Sequence, residues 1–306
     1  KIKKAKLRGE LSEGMICAED ELGIGTEHNG IMVLDENLIV GSNLSECLSL
    51  ENDAIFEIGL TPNRADAMSH YGVARDLHAV LNRYNIKSQL NSVKTVFKNS
   101  SNESKINIQI INKKECSRYA GVLIDGIKVN SSPKWLQNRL QSIGLSPINC
   151  VVDVGNFIMH NIGQPLHIFD AKKIIGNTVV VRNAKKGETL KTLDEEIRKL
   201  DKSDLVICNK NSPMCIAGVF GGIESSVTEG TTSVFIESAY FNPVSIRKTA
   251  KRHAINSDAS YRFERGVDPN FVIKGLQMAA NLLCEISGGK IASRIEDEYP
   301  IKIDNL

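Results

Sequence analysis

The segment SVFIESAYF, residues 233–241, has the composition of a β-strand whose two faces are both mainly apolar. Successive side chains of a strand point to opposite faces. One face would carry Val234, Ile236, Ser238 and Tyr240, and the other Phe235, Glu237, Ala239 and Phe241. Glu237 is therefore a carboxylate on an otherwise apolar face. It could be a structural residue bonded to backbone amides or a lysine, or an acceptor in the wall of a ligand pocket.

The segments around this strand predict an α+β fold with mainly antiparallel strands. Between Thr178 and Tyr240, short β runs alternate with turns. Helical spacing is seen at Val73, Leu77, Val80, Leu81 and Tyr84, after Pro133, after Pro243, and from Val272 to Ile286. Ser132 and Pro133 are expected as N-cap and first residue of the second of these helices. Strands and helices do not alternate in the regular way of a βαβ fold, which favours the α+β class.

A second apolar run, VVDVGNFIMHNIGQPLHIFD at 151–170, is interrupted by polar side chains. Buried polar groups are costly unless each has a partner. Asn156, Gln164 and His167 could therefore brace the core or hydrogen-bond a polar ligand, and His167 could act as an acid or base. No GxSxG motif is present, so a hydrolase built on these residues would use bound water rather than a side-chain nucleophile.

Composition and charge restrict the classes of protein to which the chain could belong. The 306 residues allow two or three domains, and 38 basic against 36 acidic residues give a net charge of +2. No apolar run approaches the ~20 residues of a membrane span, so no membrane partner is expected. Seven scattered cysteines without a CxxC spacing predict free thiols in the cytoplasm and no metal site. The glycines of AGVFGG match no nucleotide phosphate loop.

Charge is concentrated in one segment, KTAKRHAINSDASYRFERGVDP, residues 248–269. A solvated helix face is the common explanation of such a segment, and contact with nucleic-acid phosphates is the rival. The intermixed Asp258 and Glu264 weaken the nucleic-acid interpretation and favour internal ion pairs. A polar stretch at 91–105, rich in Asn, Ser and Lys, predicts a linker with a domain boundary. Because position 1 is not Met, the chain is expected to be part of a longer protein.

Four ordered segments together resemble the bacterial phenylalanyl-tRNA synthetase β subunit: 151–170, AGVFGG at 217–222, FIESAYFNPVSIRKTAKRH at 235–253 and DASYRFERGVDP at 258–269. The resemblance implies an editing domain over 106–295 and a small helix-containing domain over 50–95. It also implies the end of an inserted OB-type tRNA-binding domain over 1–49 and a linker to a following domain over 296–306.

The resemblance implies proofreading, the hydrolysis of misacylated tyrosyl-tRNA(Phe) with a positioned water. Glu237 matches the glutamate that receives the tyrosine hydroxyl in this family. Gly218 matches a glycine at which the ligand ring comes close to the pocket backbone, and Ala239 matches a small residue that keeps the pocket open. His167 and Asn156 match polar residues at the ester end. The whole enzyme is then an α2β2 tetramer with an α subunit, which uses ATP and Mg²⁺ for amino-acid activation. No cofactor is expected in this chain itself.

Two positions depart from the family pattern. Gly155 stands where the family usually has Thr before the matching asparagine and is assigned to the substrate-binding residues, and Ser146 replaces a common Arg in the segment GLSPIN. Both changes remove groups that could hold the ester end. Two other functions remain open: a non-catalytic tRNA-binding module, and a scaffold that holds subunits together.

Overall fold

The structure is a computed structural model that describes residues 4–25, 28, 30–48, 54–93, 95–97, 102 and 105–303. By its contacts the chain divides into two compact units, Lys1–Phe56 and Glu57–Leu306. The predicted boundary at residues 49–50 and the last three residues of the predicted linker lie outside the described residues. The predicted domain limits therefore stay predictions.

The described residues contain seven α-helices: α1 Leu44–Cys47, α2 His70–Arg83, α3 Lys134–Ser142, α4 Cys150–Ile162, α5 Pro243–His253, α6 Asp258–Phe263 and α7 Phe271–Ser287. They also contain fourteen strands: β1 Ala5–Leu7, β2 Glu10–Ser12, β3 Asn107–Ile110, β4 Cys116–Asp125, β5 Leu166–Asp170, β6 Thr178–Asn183, β7 Thr189–Lys191, β8 Ile197–Lys199, β9 Leu205–Cys208, β10 Pro213–Ile216, β11 Phe220–Gly221, β12 Ser233–Phe241, β13 Lys290–Ile291 and β14 Glu296–Glu298.

The first unit holds the β1–β2 antiparallel pair and the short helix α1. Asn43 caps α1 by accepting a hydrogen bond from the backbone N–H of Ser45. The expectation that this unit is the end of an OB-type domain stays a prediction.

The second unit is built on two five-stranded sheets. We call the sheet β13–β4–β12–β5, with β14 also paired to β4, the central sheet, and the sheet β11–β10–β9–β6–β3 the second sheet. All pairings in the two sheets are antiparallel except β3 with β6. The predicted α+β class with mainly antiparallel strands is confirmed. Because Glu296–Glu298 pairs with β4, the start of the segment predicted as a linker is part of the central sheet.

Two hydrophobic cores lie on opposite faces of the central sheet. The inter-sheet core, between the two sheets, contains Tyr119, Phe169, Phe235 and Phe241. The helix-side core lies under α3, α4 and α7 and contains Ile124, Leu136, Ile158 and Leu276. Full burial of such side chains stabilises the fold by about 1.5–3 kcal/mol each. The unit therefore has three layers, with the central sheet in the middle.

The run 151–170 forms a helix followed by a strand. Asn149 caps α4 by accepting from the N–H groups of Val151 and Val152, and Gly163 ends the helix with φ 82°. Asp153 is fully buried and accepts hydrogen bonds from the Ser132 hydroxyl at 2.6 Å and the Ile148 N–H at 2.9 Å. Pro133, rather than the predicted Ser132, is the N-cap of α3, because the backbone at Pro133 is still extended, with ψ 150°. The Ser132 hydroxyl makes no capping bond and donates to Asp153.

Two residues of the polar stretch at 91–105 are bonded to α7. The hydroxyl of Thr95 donates to Gln277 at 2.6 Å, and the side chain of Asn281 donates to the backbone oxygen of Val96 at 3.0 Å. The contact-based division falls at residue 56 rather than in this stretch.

Helix α2 forms as the 3.6-residue spacing predicts, but much of its apolar stripe is uncovered. Leu77, Val80 and Tyr84 are each more than half exposed. None of the helices in the described ranges is long and apolar enough to cross a membrane.

Candidate functional site

Strand β12 has the two faces that its alternation predicts. Phe235, Ala239 and Phe241 belong to the inter-sheet core, whereas Val234 and Ile236 belong to the helix-side core. Glu237 shares the parity of the first set and is only 4% exposed. Its carboxyl group therefore lies on the face of the central sheet that is turned toward the second sheet.

Glu237 and His167 face each other across neighbouring strands. In the register of β12 with β5, Glu237 is directly opposite His167, and in its register with β4 it is opposite Gly121. Directly opposed residues of an antiparallel pair point to the same face, with Cβ atoms roughly 5 Å apart. The sheet thus brings together the two predicted residues that carry titratable side chains.

The carboxyl group of Glu237 is buried away from water, and only one of its two oxygens has a hydrogen-bond partner among the described residues. Burial raises its pKa to about 8, against the smaller opposing effect of a hydrogen bond that the Tyr119 hydroxyl donates to Oε2 at 3.1 Å. Oε1 makes no hydrogen bond with the residues that the structure describes. At neutral pH the group is mostly a neutral acid, so it can both donate and accept a hydrogen bond.

His167 is neutral under the same conditions. Burial lowers the pKa of its ring to about 4, and the ring lies edge-on to Phe169 with centroids 4.4 Å apart. Although part of the residue is exposed, its Nε2 atom is buried and has no partner among the described residues. A Cβ at Gly221 would lie 2.7 Å from Cε1 of His167, so glycine at that position gives the ring its space.

Gly218 and Ala239 border the same inter-sheet core. Gly218 lies in the turn between β10 and β11 with φ 65°, a conformation that favours glycine. A side chain there would lie 2.9 Å from both Phe241 and Ile246 and 3.0 Å from Phe263. Ala239 is 1% exposed and follows Glu237 by two residues on the same face of β12.

Gly155 and Asn156 lie on the other side of the central sheet. Both are in α4, and most of the buried apolar residues of this helix belong to the helix-side core. The nearest atom to a Cβ at Gly155 is Cδ1 of Ile168, 4.0 Å away, and Ile168 contacts the helix-side core. The structure groups Glu237, His167, Ala239 and Gly218 around one core and leaves Gly155 and Asn156 in a different layer.

A family model described as the B3/4 domain matches residues 115–288, which include all six predicted site residues. The chain belongs to the B3/4 domain family. The match lies within 106–295 and covers β4 to α7, that is, most of both sheets and the helices on them.

Similar proteins confirm the resemblance of this B3/4 domain chain to the phenylalanyl-tRNA synthetase β subunit. It is 52% identical over 297 residues to a protein named phenylalanine–tRNA ligase beta subunit from Bacteroides fragilis, covering 97% of this chain and 36% of the relative. A protein of the same name from Porphyromonas gingivalis is 47% identical, covering 98% and 37%. The chain thus spans little more than a third of the length of these relatives.

One solved structure is similar at a lower level. It is an N-terminal fragment of the phenylalanyl-tRNA synthetase β subunit from Pyrococcus horikoshii, with 16% identity and a TM-score of 0.44 over 75% of this chain and 60% of that one. A likeness of this size carries no argument about the site.

Three further residues of the B3/4 domain shape the site and were not predicted. Tyr119 bonds Glu237, Gly221 makes room for His167, and the ring of Phe235 occupies the space that a Cβ at Gly121 would need. A parity count along RYAGVLID places Tyr119 and Gly121 on one face of β4. That count does not reveal which strand lies beside β4, so the contact between Tyr119 and Glu237 could not be predicted from the sequence.

A separate cleft of about 280 Å³ lies at the second sheet of the B3/4 domain. Its lining includes Lys172, Asn209, Ser212, Met214 and Glu224, and none of the six predicted residues. Within the described ranges, no three His, Cys, Asp or Glu side chains are grouped as a metal site would need.

The basic segment is divided between surface and interior. Arg247, Lys248 and Lys251 are exposed along α5, whereas Arg262 is buried. Arg252 and His253 both bond the buried carboxylate of Asp204. Ion pairing and a solvated face are therefore both present in this segment.

Proposed function

We propose that this chain is the editing part of a phenylalanine–tRNA ligase β subunit and hydrolyses the ester bond of tyrosyl-tRNA(Phe). The observation that carries the proposal is Glu237, a buried carboxyl group with one oxygen held by Tyr119 and the other free of described partners. Such a group can hydrogen-bond the single hydroxyl of a ligand that is otherwise held by apolar side chains.

The neutral state of Glu237 suits discrimination between tyrosine and phenylalanine. A tyrosine hydroxyl can accept from the protonated carboxyl group or donate to its free oxygen. Phenylalanine would bury that oxygen without a partner, and a site of this kind rejects the smaller side chain by roughly 10⁴-fold. The apolar side chains of the inter-sheet core supply the rest of the binding, with Ala239 as the small neighbour of Glu237 on β12 and Gly218 as the position where the ligand ring meets the backbone.

His167 and Asn156 are assigned to the ester end, where they hold the substrate and orient the attacking water. A histidine with a pKa of about 4 is a weak base at neutral pH, so orientation by its buried Nε2 fits better than complete proton abstraction. Asn156 would have to act from the α4 side of the central sheet. Gly155 would leave open the space that a threonine occupies in the family pattern.

The partners of the whole protein follow from the same proposal. They are tRNA(Phe), the α subunit of an α2β2 tetramer, and the tyrosine group as the editing ligand, in the cytoplasm. ATP and Mg²⁺ serve amino-acid activation elsewhere in that assembly, and no step of editing is routed through them.

The test is the deacylation of tyrosyl-tRNA(Phe) and phenylalanyl-tRNA(Phe) by the full-length β subunit in its complex. Wild type is expected to hydrolyse the tyrosyl ester selectively. Glu237→Ala is expected to lower kcat/KM for that ester by roughly 10- to 100-fold, the loss of a hydrogen bond at a buried polar group. Glu188→Gln, which alters a carboxylate bonded to Arg182 at 2.7 Å, is the control and should keep wild-type kinetics.

The outcomes separate the hypotheses. Equal kinetics of Glu237→Ala and wild type would remove the role given to Glu237. No hydrolysis by wild type would remove editing altogether and leave binding or scaffolding.

A second candidate function, non-catalytic tRNA binding, is favoured by the exposed cations Arg247, Lys248 and Lys251 on α5. Phosphate contacts made by such side chains weaken as salt rises. If α5 binds tRNA, replacing Lys248 and Lys251 with Gln should lower the salt slope of binding by roughly two units, with deacylation chemistry unaffected once tRNA is saturating.

A further inference from the structure

The second sheet turns one cysteine side chain toward the candidate site. In the register of β10 with β11, Cys215 is directly opposite Gly221. A Cβ at Gly221 would lie 2.7 Å from Cε1 and 3.4 Å from Nε2 of His167, so this face of β11 is turned toward the central sheet. Directly opposed residues of an antiparallel pair point to the same face. The side chain of Cys215 is therefore turned toward the central sheet as well.

Cys215 also lies near the carboxyl group of Glu237. It is buried in the inter-sheet core, to which Phe235 and Ala239 on either side of Glu237 belong. Burial, and after it the charge of Glu237, raises the pKa of the Cys215 thiol well above its ordinary value. A neighbouring charge shifts a pKa in this way at short range. Since Glu237 is opposite His167 in the sheet, Cys215 faces this pair from across the inter-sheet core.

The thiol of Cys215 is suited to packing rather than to chemistry. Because its pKa is raised, little of the reactive thiolate exists at neutral pH. Its Sγ lies 3.3 Å from the backbone oxygens of both Ile216 and Phe220, which can accept from its weak S–H donor. The thiol therefore offers a ligand neither a nucleophile nor a free donor, and what it contributes is the volume of the sulfur atom.

The polar groups of the site determine what lies next to that sulfur. Nε2 of His167 and Oε1 of Glu237 have no hydrogen-bond partner among the described residues. A ligand hydroxyl that bonds Oε1 is held between the two sheets, on the side that Cys215 faces. The ring position beside the hydroxyl is then the part of the ligand that the sulfur restricts.

We propose that Cys215 is a specificity-determining residue, which limits the size of the group beside the hydroxyl of the ligand ring. The inference rests on the proposed function and narrows its substrate class. Glu237 selects for a hydroxyl by hydrogen bonding, and Cys215 selects by size against a ring that carries a further substituent next to it. The class is the ester of a hydroxyphenyl amino acid whose ring has no other substituent beside the hydroxyl.

The test compares the deacylation of tRNA(Phe) charged with tyrosine and with 3-methyltyrosine by the full-length β subunit in its complex. The added methyl group keeps the hydroxyl, so the pair of esters reports on size. Wild type is expected to prefer the tyrosyl ester by roughly 10-fold or more in kcat/KM, the usual cost of one extra carbon in a filled apolar pocket. Cys215→Ala removes the sulfur atom and is expected to reduce this preference by roughly 10-fold.

A second variant changes the volume in the other direction. Cys215→Val adds bulk at the same place and is expected to increase the preference for the tyrosyl ester. Valine is favoured in strands, so this variant tests the inference even if Cys215→Ala does not fold.

Cys208→Ala is the matched control. Cys208 is 1% exposed, and it follows Ile207, the residue of β9 that is directly opposite Cys215. Successive residues of a strand point to opposite faces, so the thiol of Cys208 is turned away from the site. The same atom is thus removed from an equally buried place in the same sheet, and the preference between the two esters should keep its wild-type value.

The outcomes distinguish a failure of this inference from a failure of the proposed function. If the folded Cys215 variants hydrolyse the tyrosyl ester with the wild-type preference, the inference is wrong and the proposed function stands. Equal kcat/KM of wild type for the two esters would also overturn it, as would a change in Cys208→Ala as large as that in Cys215→Ala. No hydrolysis of either ester by wild type would overturn the proposed function, and this inference with it.

Discussion

The hydroxyl of Tyr119 donates to Oε2 of Glu237 at 3.1 Å, between diagonal positions of the adjacent strands β4 and β12. Tyr119 is fully buried and Glu237 nearly so, so water does not compete for this bond. The bond leaves Glu237 a single oxygen for a ligand and fixes the direction in which it points. Tyr119 is thus the positioning residue of the candidate site.

Replacing Tyr119 with Phe should destabilise the protein and loosen Glu237. We expect the free energy of unfolding to fall by about 1–3 kcal/mol, because Oε2 loses its partner in a buried place. The pKa of Glu237 should rise further, since the lost bond lowers it. Denaturant unfolding measures the first effect. Tyr240→Phe, on the opposite face of β12, is the control, and equal losses in both variants would contradict the role of Tyr119.

The pKa of Glu237 predicts a loss of stability with rising pH. Its folded value of about 8 lies above its ordinary value of 4.5, so the folded state holds the proton longer than the unfolded state. This contribution is complete below pH 4.5 and is lost as pH rises through 8, at up to ~1.4 kcal/mol per pH unit. Between pH 6.5 and 8, Glu237→Gln should show a flatter unfolding free energy than wild type. Parallel curves for the two proteins would rule this out.

His167 predicts the opposite trend in acid. Its folded pKa of about 4 lies below its ordinary value of 6.5, so the unfolded state takes up the proton first. The contribution is complete above pH 6.5 and is lost as pH falls through 4. His167→Gln should therefore lose less stability than wild type between pH 6.5 and 4, measured by unfolding at a series of pH values. His160, with a similar pKa, stays in both proteins and cancels in the comparison.

Gly221→Ala should displace the ring of His167. The new Cβ would lie 2.7 Å from Cε1 of His167 and 3.0 Å from Cδ1 of Leu193, so the ring must move. We expect a loss of about 1–3 kcal/mol in unfolding free energy and slower deacylation. Gly230→Ala is the control, since nothing lies within 4 Å of its Cβ position. Retention of wild-type deacylation by folded Gly221→Ala would argue against His167 at the ester end.

Gly155→Ala should stabilise the protein. Gly155 is within α4, and its Cβ would meet only Ile168 at 4.0 Å, so alanine gains helix propensity of about 0.8–1 kcal/mol without a clash. Gly275→Ala in α7 would place a Cβ 3.0 Å from Cγ of Gln164 and should gain less or lose stability. The thermal midpoints of both variants, compared with that of wild type, test this expectation. A lower midpoint for Gly155→Ala would mean that α4 needs the glycine.

The parts of this fold that depend on local pattern could be predicted from the sequence. The period-two alternation of 233–241 placed Glu237 on the correct face of β12, and the caps around 149–163 follow ordinary helix signals. The stripe of α2 predicted the helix but not its surroundings, because exposure of Leu77 and Val80 depends on what lies beside the helix.

The site depends on strand order, which local pattern does not contain. Glu237 meets His167 and Tyr119 because β5 and β4 flank β12, although these residues are 70 and 118 positions away in sequence. Asn156 was placed beside His167 by resemblance, and the structure puts a sheet layer between α4 and the inter-sheet core. Its assignment to the ester end stays a prediction.

The position of Glu237 in the candidate site depends on the pairing register of β12 within the central sheet. Glu237 has Gly121 on one side and His167 on the other, and a slip of one residue would offer Ile236 or Ser238 to the inter-sheet core instead. An insertion inside the strand would erase recognition and architecture in a single event.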